Sequence, residues 1–477
     1  MSSLYAIFLA VIAIILMGVS LFRASLVKTK ADYLVAGRSL PAIVLVFTLL
    51  SSWIGAGSLF AGAENAYKNG FAAFWQPAGG WLGLLLIYFI APRARKFAQF
   101  TIPDLLEARY NRTARALGTI AIVFAYTGIA SYQFKGGGDV LHLIFPDVIT
   151  PEFGTYLIAF FVIIMTALAG MSSVAYTDLI IGSLVSITCV IAAPVLLAHA
   201  GGWAGVHAAL PASHFSPLGT ITFVRAMEFL VPTLLLMLGN QAMYQKFFSA
   251  KSERDARTAV VGWIVGTVIL ETLIISIAVF GSAMFRTGEV ALHPREIIPY
   301  TARHGLPAVL GAMLLAAVFA KVISTASNFL FSPATNLVND VYVRYISPNA
   351  SNKSVLIVSR LMVVLLGCWA LYQAVYAESI LEKMLWAYTI YSAALTPVIL
   401  AAFYSKRVTA WGAVAAIATG TVVTVTWDLP GVKGIFPAIL AERDAIFPAL
   451  FAALFVMVAV SYLTPKPTPE QLAKFAN

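Results

Sequence analysis

Five polar residues of one apolar stretch, AAVFAKVISTASNFLFSPATNLVND, fall at helical spacing. Lys321, Ser324, Thr325, Asn328 and Ser332 stand at i, i+3, i+4, i+7 and i+11. On a helix this makes one polar stripe. Its hydroxyl oxygens are hard donors suited to a small hard cation, although the same groups also serve as hydrogen bonds between helices. Lys321 lies about ten residues from the nearer end of its apolar run, on the order of 15 Å along a helix. An ammonium at that depth costs at least a few kcal/mol unless it pairs, faces water or is neutral.

Two further places could do chemistry with that stripe. Residues 51–58 read Ser-Ser-Trp-Ile-Gly-Ala-Gly-Ser in the middle of another apolar run. Two glycines and three serines weaken a helix there. An unwound segment would turn carbonyls toward a cation; an unbroken one would be a close helix crossing through small residues. Asp178, in GMSSVAYTDLIIG, reads either as a carboxylate at a helix N-terminus or as a cation ligand or counter-ion of Lys321. Lys135, Glu228 and Glu271 are ionisable groups within or near apolar runs. Gln76, Asn240, Gln241 and Tyr244 are candidate solute contacts or, equally, interhelical hydrogen bonds. No Ser/His/Asp, Cys/His or metal-ligand arrangement accompanies them, so a non-enzyme is expected.

The elements that position these groups follow from hydropathy. The chain is 60% hydrophobic and 11% charged, against roughly 25% charge in soluble domains. About thirteen runs reach spanning length: 3–23, 41–64, 70–92, 114–138, 154–171, 175–198, 222–247, 257–284, 305–331, 355–377, 382–404, 409–427 and 445–463. The fold class is therefore all-α and polytopic, one transmembrane domain over 1–477 in the lipid bilayer. The net charge of +10 does not imply nucleic acid, because the basic residues sit in short loops. Arg93, Arg95, Lys96, Arg109, Arg112, Arg115, Lys246, Lys251, Arg254, Arg257, Lys406 and Arg407 fall on one side. That side is cytoplasmic by the positive-inside rule, leaving the N-terminus outside. Cys189 and Cys368 read as small hydrophobes. TIPDLLEARYNR, 101–112, reads as an interfacial helix with a Thr cap.

Motif by motif, the chain resembles the sodium/solute symporter family, which includes bacterial proline, sialic-acid and sugar symporters. The matching pieces are DYLVAGRSLP (32–41), SSWIGAGSLFAGAENAYKNG (51–70), TIPDLLEARY (101–110), SSVAYTD (172–178), GNQAMYQKFFSAKSERDA (239–256) and ISTASNFLFSPATNLVNDVY (323–342). The resemblance implies an extra N-terminal helix (3–23), a five-plus-five inverted-repeat core (41–198 and 222–404) and C-terminal helices (409–463). The leading helices of the repeats would be broken around Ser52–Ser58 and Gly239–Tyr244. Sodium would lie between carbonyls of Ser52, Gly55 and Lys321 and hydroxyls of Ser324 and Thr325. Asp178 with Ser327 would match a second ion site. Solute would lie near Ser58, Gln76, Asn240, Gln241 and Tyr244, gated by Trp53 or Tyr391.

The implied activity is cation-coupled uptake of a small polar organic solute by alternating access, across a bacterial-type inner membrane. An amino acid or carboxylate is expected, since Lys135 could meet a carboxylate. One departure stands out: the residue that lends only its carbonyl to sodium is usually small, and here it is Lys321. Its ammonium could replace sodium or couple transport to protons. A solute-sensing membrane module is the alternative from another class.

Overall fold

The computed structural model describes residues 2–97, 101–286, 293–376 and 379–473. Side chains of 91–97 lie outside that description, Arg93, Arg95 and Lys96 among them. Among the described residues, eleven helices are long and apolar enough to cross a bilayer, and Ala42–Trp53 and Ala410–Thr426 are shorter apolar helices. The count of thirteen full-length spans is not reproduced. The run 41–64 is no single helix: Ala42–Trp53 stops at an extended Ile54 (φ −78°, ψ 118°). The chain beyond it winds on from Gly57 through a tight turn to Ile90.

Seven elements matter for function: α1, Ala42–Trp53; α2, the helical segment 57–69; α3, Trp75–Phe97; α4, Arg112–Ile144; α5, Gly170–His199; α6, Phe223–Gly239, continued after a break by α7, Gln241–Ser249. Two more, α8 (Glu253–Phe285) and α9 (Ala308–Asn336), complete the core. The break between α6 and α7 is again one extended residue, Asn240 (φ −66°, ψ 112°). α5 begins at Gly170, which parts it from Pro151–Leu168 and whose φ of +65° is a left-handed conformation that favours glycine. A Cβ there would also lie 2.7 Å from the Tyr33 ring.

α9 is central. Lys321 through Asn336 are all buried, and the helix packs against α1, α4, α5 and α7. A helix hydrophobic and buried all round cannot hide polar groups in water, so each of its polar side chains needs a protein partner or a ligand.

Ion pairs tie the core at both ends. Arg115 at the start of α4 reaches Asp104 and Asp340 at 2.6 Å and Glu107 at 2.5 Å, and Arg344 also reaches Glu107, at 2.6 Å. Asp104 and Glu107 belong to Ile102–Arg109, which Thr101 caps by accepting from Asp104 N, as the sequence pattern predicts. Burial pushes the Glu107 carboxyl up, but hydrogen bonds and charge from Arg115 and Arg344 outweigh it and hold it below its usual range. At the other end, Arg295 pairs with Asp139 at 2.9 Å.

Candidate functional site

The polar stripe of α9 faces the break between α1 and α2. Thr325 Oγ1 lies 3.0 Å from Ser51 O, 3.0 Å from Ile54 O and 2.9 Å from Lys321 O. Glycine at 55 makes this approach possible: a Cβ there would lie 2.7 Å from both Thr325 Oγ1 and Thr325 Cγ2. The carbonyls that converge are thus Ser51 and Ile54, one residue before the expected Ser52 and Gly55. The reason is local bonding. Gly55 O already accepts from Ser58 N and Leu59 N, at 3.1 and 2.9 Å, and so starts α2. The Ser52 hydroxyl donates back to Thr48 O at 2.9 Å.

Lys321 turns its ammonium to the same break, where Nζ donates to Ser51 Oγ at 2.8 Å. It does not point directly at Asp178. That carboxylate lies two turns inside α5, fully buried, so it is not a helix-start residue. It accepts from Thr48 Oγ1 at 2.5 Å, from Ser324 Oγ, and from Asn328 Nδ2 at 3.2 Å. Asn328 Oδ1 in turn accepts from Lys246 Nζ at 2.7 Å. Asp178 and Ser327, expected to share a second ion site, are not joined directly: Asp178 is bonded to Ser324 and Asn328. Ser327 spends its hydroxyl on Ile323 O, at 2.9 Å, one turn back on α9.

Lys246 was not legible as a site residue. By loop position it counts as cytoplasmic charge, yet it is fully buried on α7. Two buried lysines thus flank one buried aspartate beside the break. Ser332, at the far end of the stripe, is buried with no hydrogen-bond partner among the described residues.

The expected solute contacts divide into two groups. Ser58 and Gln76 line a small cavity with Glu271, Ile274 and Ile275, with about 10 Å³ of free space, roughly one water molecule. Glu271, mid-length on α8, is the residue around which this group forms. Its Oε1 accepts from Trp53 Nε1 at 2.9 Å and Ser58 Oγ at 3.4 Å, and its Oε2 accepts from Trp81 Nε1 at 2.8 Å. Trp53 also stacks on Tyr388, centroids 6.2 Å apart.

The second group closes the other break instead. Gln241 N donates to Tyr391 OH, and Ala242 N donates to Tyr126 OH and to Asn240 Oδ1, all at 3.0 Å. Tyr126 OH donates to Asn240 Oδ1 at 2.6 Å, and Gln241 Oε1 accepts from Ile102 N. Tyr244 OH donates to Leu238 O at 2.9 Å. Asn240, Gln241, Tyr244 and Tyr391 do not line the Glu271 cavity. Nor does Lys135, which is half-buried on α4 and close enough to Asp139 and His293 to act on their charge. Glu228 is held by Arg225 at 3.0 Å and by Asp444 N at 3.1 Å, as a structural pair.

A membrane-spanning helical bundle with two helices broken by one extended residue each, and with oxygens gathered at one break, is the architecture of a secondary transporter. The sodium:solute symporter family profile matches residues 33–420, and the chain belongs to that family. It is similar to a sodium/proline symporter of Staphylococcus aureus, 26% identical over 487 residues covering 97% of this chain and 93% of that protein. Its fold is that of a Na+-coupled sialic acid symporter in a substrate-bound outward-open state (TM-score 0.82, 16% identity, 98% of each chain). A nucleobase-cation-symport-1 family transporter in a closed conformation with bromovinylhydantoin bound is more distant (TM-score 0.61, 13% identity, 94% of this chain and 99% of that one). The chain is thus a multi-pass membrane protein of a transporter family.

Proposed function

We propose that the chain takes up a small polar organic solute coupled to sodium by alternating access. Sodium would lie among Ser51 O, Ile54 O, Lys321 O and Thr325 Oγ1, with Ser324 and Asp178 beside it. The observation that carries this reading is a shortage of protons at the break. Ser51 O and Ile54 O share one hydroxyl, which can donate to one of them at a time, beside Lys321 O on α9. Hard oxygens with lone pairs to spare are what a small hard cation takes. A cation there would hold α1 and α2 against α9 and favour one of two conformations, which is the physical content of coupling. Each charge moved inward gains about 2.3 kcal/mol per 100 mV.

The same reading includes core repeats over 41–198 and 222–404, an outside N-terminus and a cytoplasmic C-terminus. The Staphylococcus aureus relative is named for proline, an amino acid of the class expected from sequence. The test is uptake into proteoliposomes under an inward sodium gradient, with potassium substituted as control. Uptake that needs sodium supports the reading; equal uptake in both contradicts it.

One observation favours a second reading. Lys321 Nζ is already hydrogen-bonded to Ser51 at the break, so a tethered ammonium could supply the charge in place of sodium. Under that reading wild-type transport ignores sodium and Lys321→Met acquires a sodium requirement.

A further inference from the structure

We propose that Glu271 is the recognition group for a protonated nitrogen on the solute, so that the transported class is amines and amino acids rather than sugars or nitrogen-free acids. This rests on the transport function proposed above and deepens it. Glu271 sits at mid-length on α8 and is 3% exposed. Each of its three hydrogen bonds comes from a neutral donor, the indoles of Trp53 and Trp81 and the hydroxyl of Ser58. Those bonds orient the carboxyl group, and among the described residues it has no ion-pair partner. An ionised carboxylate has about four lone-pair positions, so one remains for a ligand.

Gln76 is the second, independent observation. It lines the same cavity and is 4% exposed, and its Oε1 has no hydrogen-bond partner among the described residues. Its Nε2 reaches only the weak acceptor Met384 Sδ, at 3.5 Å. A buried acceptor with no donor is costly and rare in native structures. The cavity therefore offers two oxygens and asks for N–H donors. A protonated nitrogen supplies both the donors and the missing positive charge, whereas a hydroxyl supplies donors alone. With room for about one water, the cavity must open along its walls to admit the solute. Ile274 and Ile275 line the same cavity from α8 and would contact the carbon skeleton.

Matched pairs of ligands test this on the unaltered full-length chain. Thermal stabilisation of the purified protein in sodium buffer is measured with amino acids and amines, each against its nitrogen-free counterpart: proline against cyclopentanecarboxylate, alanine against lactate, pyrrolidine against cyclopentanol. The expected result is that every stabilising compound carries a protonated nitrogen and that its counterpart binds at least 10-fold more weakly. Glu271→Gln should reduce that discrimination at least 10-fold while sodium still stabilises the variant. Stabilisation by a nitrogen-free compound as strong as by its partner overturns the proposal, as does full discrimination in folded Glu271→Gln. No response to either half of any pair, with the sodium response intact, also overturns it and leaves the sodium site standing. Loss of the sodium response in the unaltered chain removes the proposed function itself. The pairs decide the question without the variant, should Glu271→Gln fail to fold.

Discussion

Two helices of this protein are broken by one extended residue each, Ile54 and Asn240, yet the breaks are finished in opposite ways. At the first, carbonyl oxygens of Ser51 and Ile54 are turned to a single hydroxyl on α9, and two lysines and an aspartate lie buried alongside. At the second, the backbone N–H groups of Gln241 and Ala242 are met by the hydroxyls of Tyr391 and Tyr126, whose rings stack 5.2 Å apart. A helix end must satisfy its orphan groups with something. Here the backbone N–H groups at one break are met by neutral hydroxyls, although Asn240 Nδ2 and Gln241 Nε2 are buried without a partner among the described residues, while the other break gathers carbonyl oxygens around one hydroxyl with charge alongside. Breaking a helix in a membrane is therefore not in itself an ion site; what matters is whether the protein has already filled the vacated bonds.

The largest effect that could break this contrast is expected from Asp178→Asn. It removes the carboxylate that accepts from Thr48, Ser324 and Asn328 and leaves Lys246 and Lys321 without a nearby negative charge. Breaking a buried charge arrangement of this kind costs about 3–5 kcal/mol. Thermal unfolding in detergent should show a large loss, part of which the double variant Asp178→Asn/Lys246→Met recovers. Unchanged stability in the single variant would mean the cluster is not a charged unit.

Next comes Thr325→Val, similar in shape but without the hydroxyl. The sodium concentration for half-maximal uptake should rise at least 10-fold, about 1.4 kcal/mol or more at the relation between affinity and free energy. Tyr391→Phe is the matching change at the second break. Gln241 N–H loses its acceptor, which costs about 1 kcal/mol, and sodium dependence should not move. If Tyr391→Phe shifted the sodium curve as far as Thr325→Val, the two breaks would be equivalent and the contrast would fail.

The smallest effect concerns Glu107, whose carboxyl is held below its usual range by its arginine partners despite burial. A group with a lowered folded-state pKa contributes stability above its unfolded pKa and loses it as pH falls through the folded value. The pairs of Glu107 with Arg115 and Arg344 should thus be intact at neutral pH and weaken only below about pH 4. Glu107→Gln should flatten the acid limb of a stability-against-pH curve and leave the neutral region only modestly lower.

Much of the fold was legible because lipid imposes a simple rule: long apolar runs become helices, and polar interruptions mark places with partners. The α9 stripe and the break near Ile54 followed from that rule and from the family motifs. Register did not. Whether Ser51 or Ser52 faces Thr325 depends on which carbonyl starts the next helix, and Gly55 O was taken by Ser58 N and Leu59 N, which spacing does not reveal. Lys246 was lost among loop charges because it stands next to the end of the run 222–247, where a basic residue reads as the start of a cytoplasmic loop. Asn240, Gln241, Tyr244 and Tyr391 were grouped with Ser58 and Gln76 because all are polar residues in spans. Their separation is set by tertiary packing against Tyr126 and Ile102. Glu271 was visible only as an ionisable group in a span. Its role emerged from Trp53 and Trp81, which are distant in sequence and meet only in the fold.

The central claim, that a cation joins the first break to α9, is tested most directly by binding of radioactive sodium to the purified full-length chain. Saturable binding in the wild type, weakened at least 10-fold by Thr325→Val and unaffected by Tyr391→Phe, is the predicted result. Absence of saturable binding, or binding that Thr325→Val leaves unchanged, would contradict it.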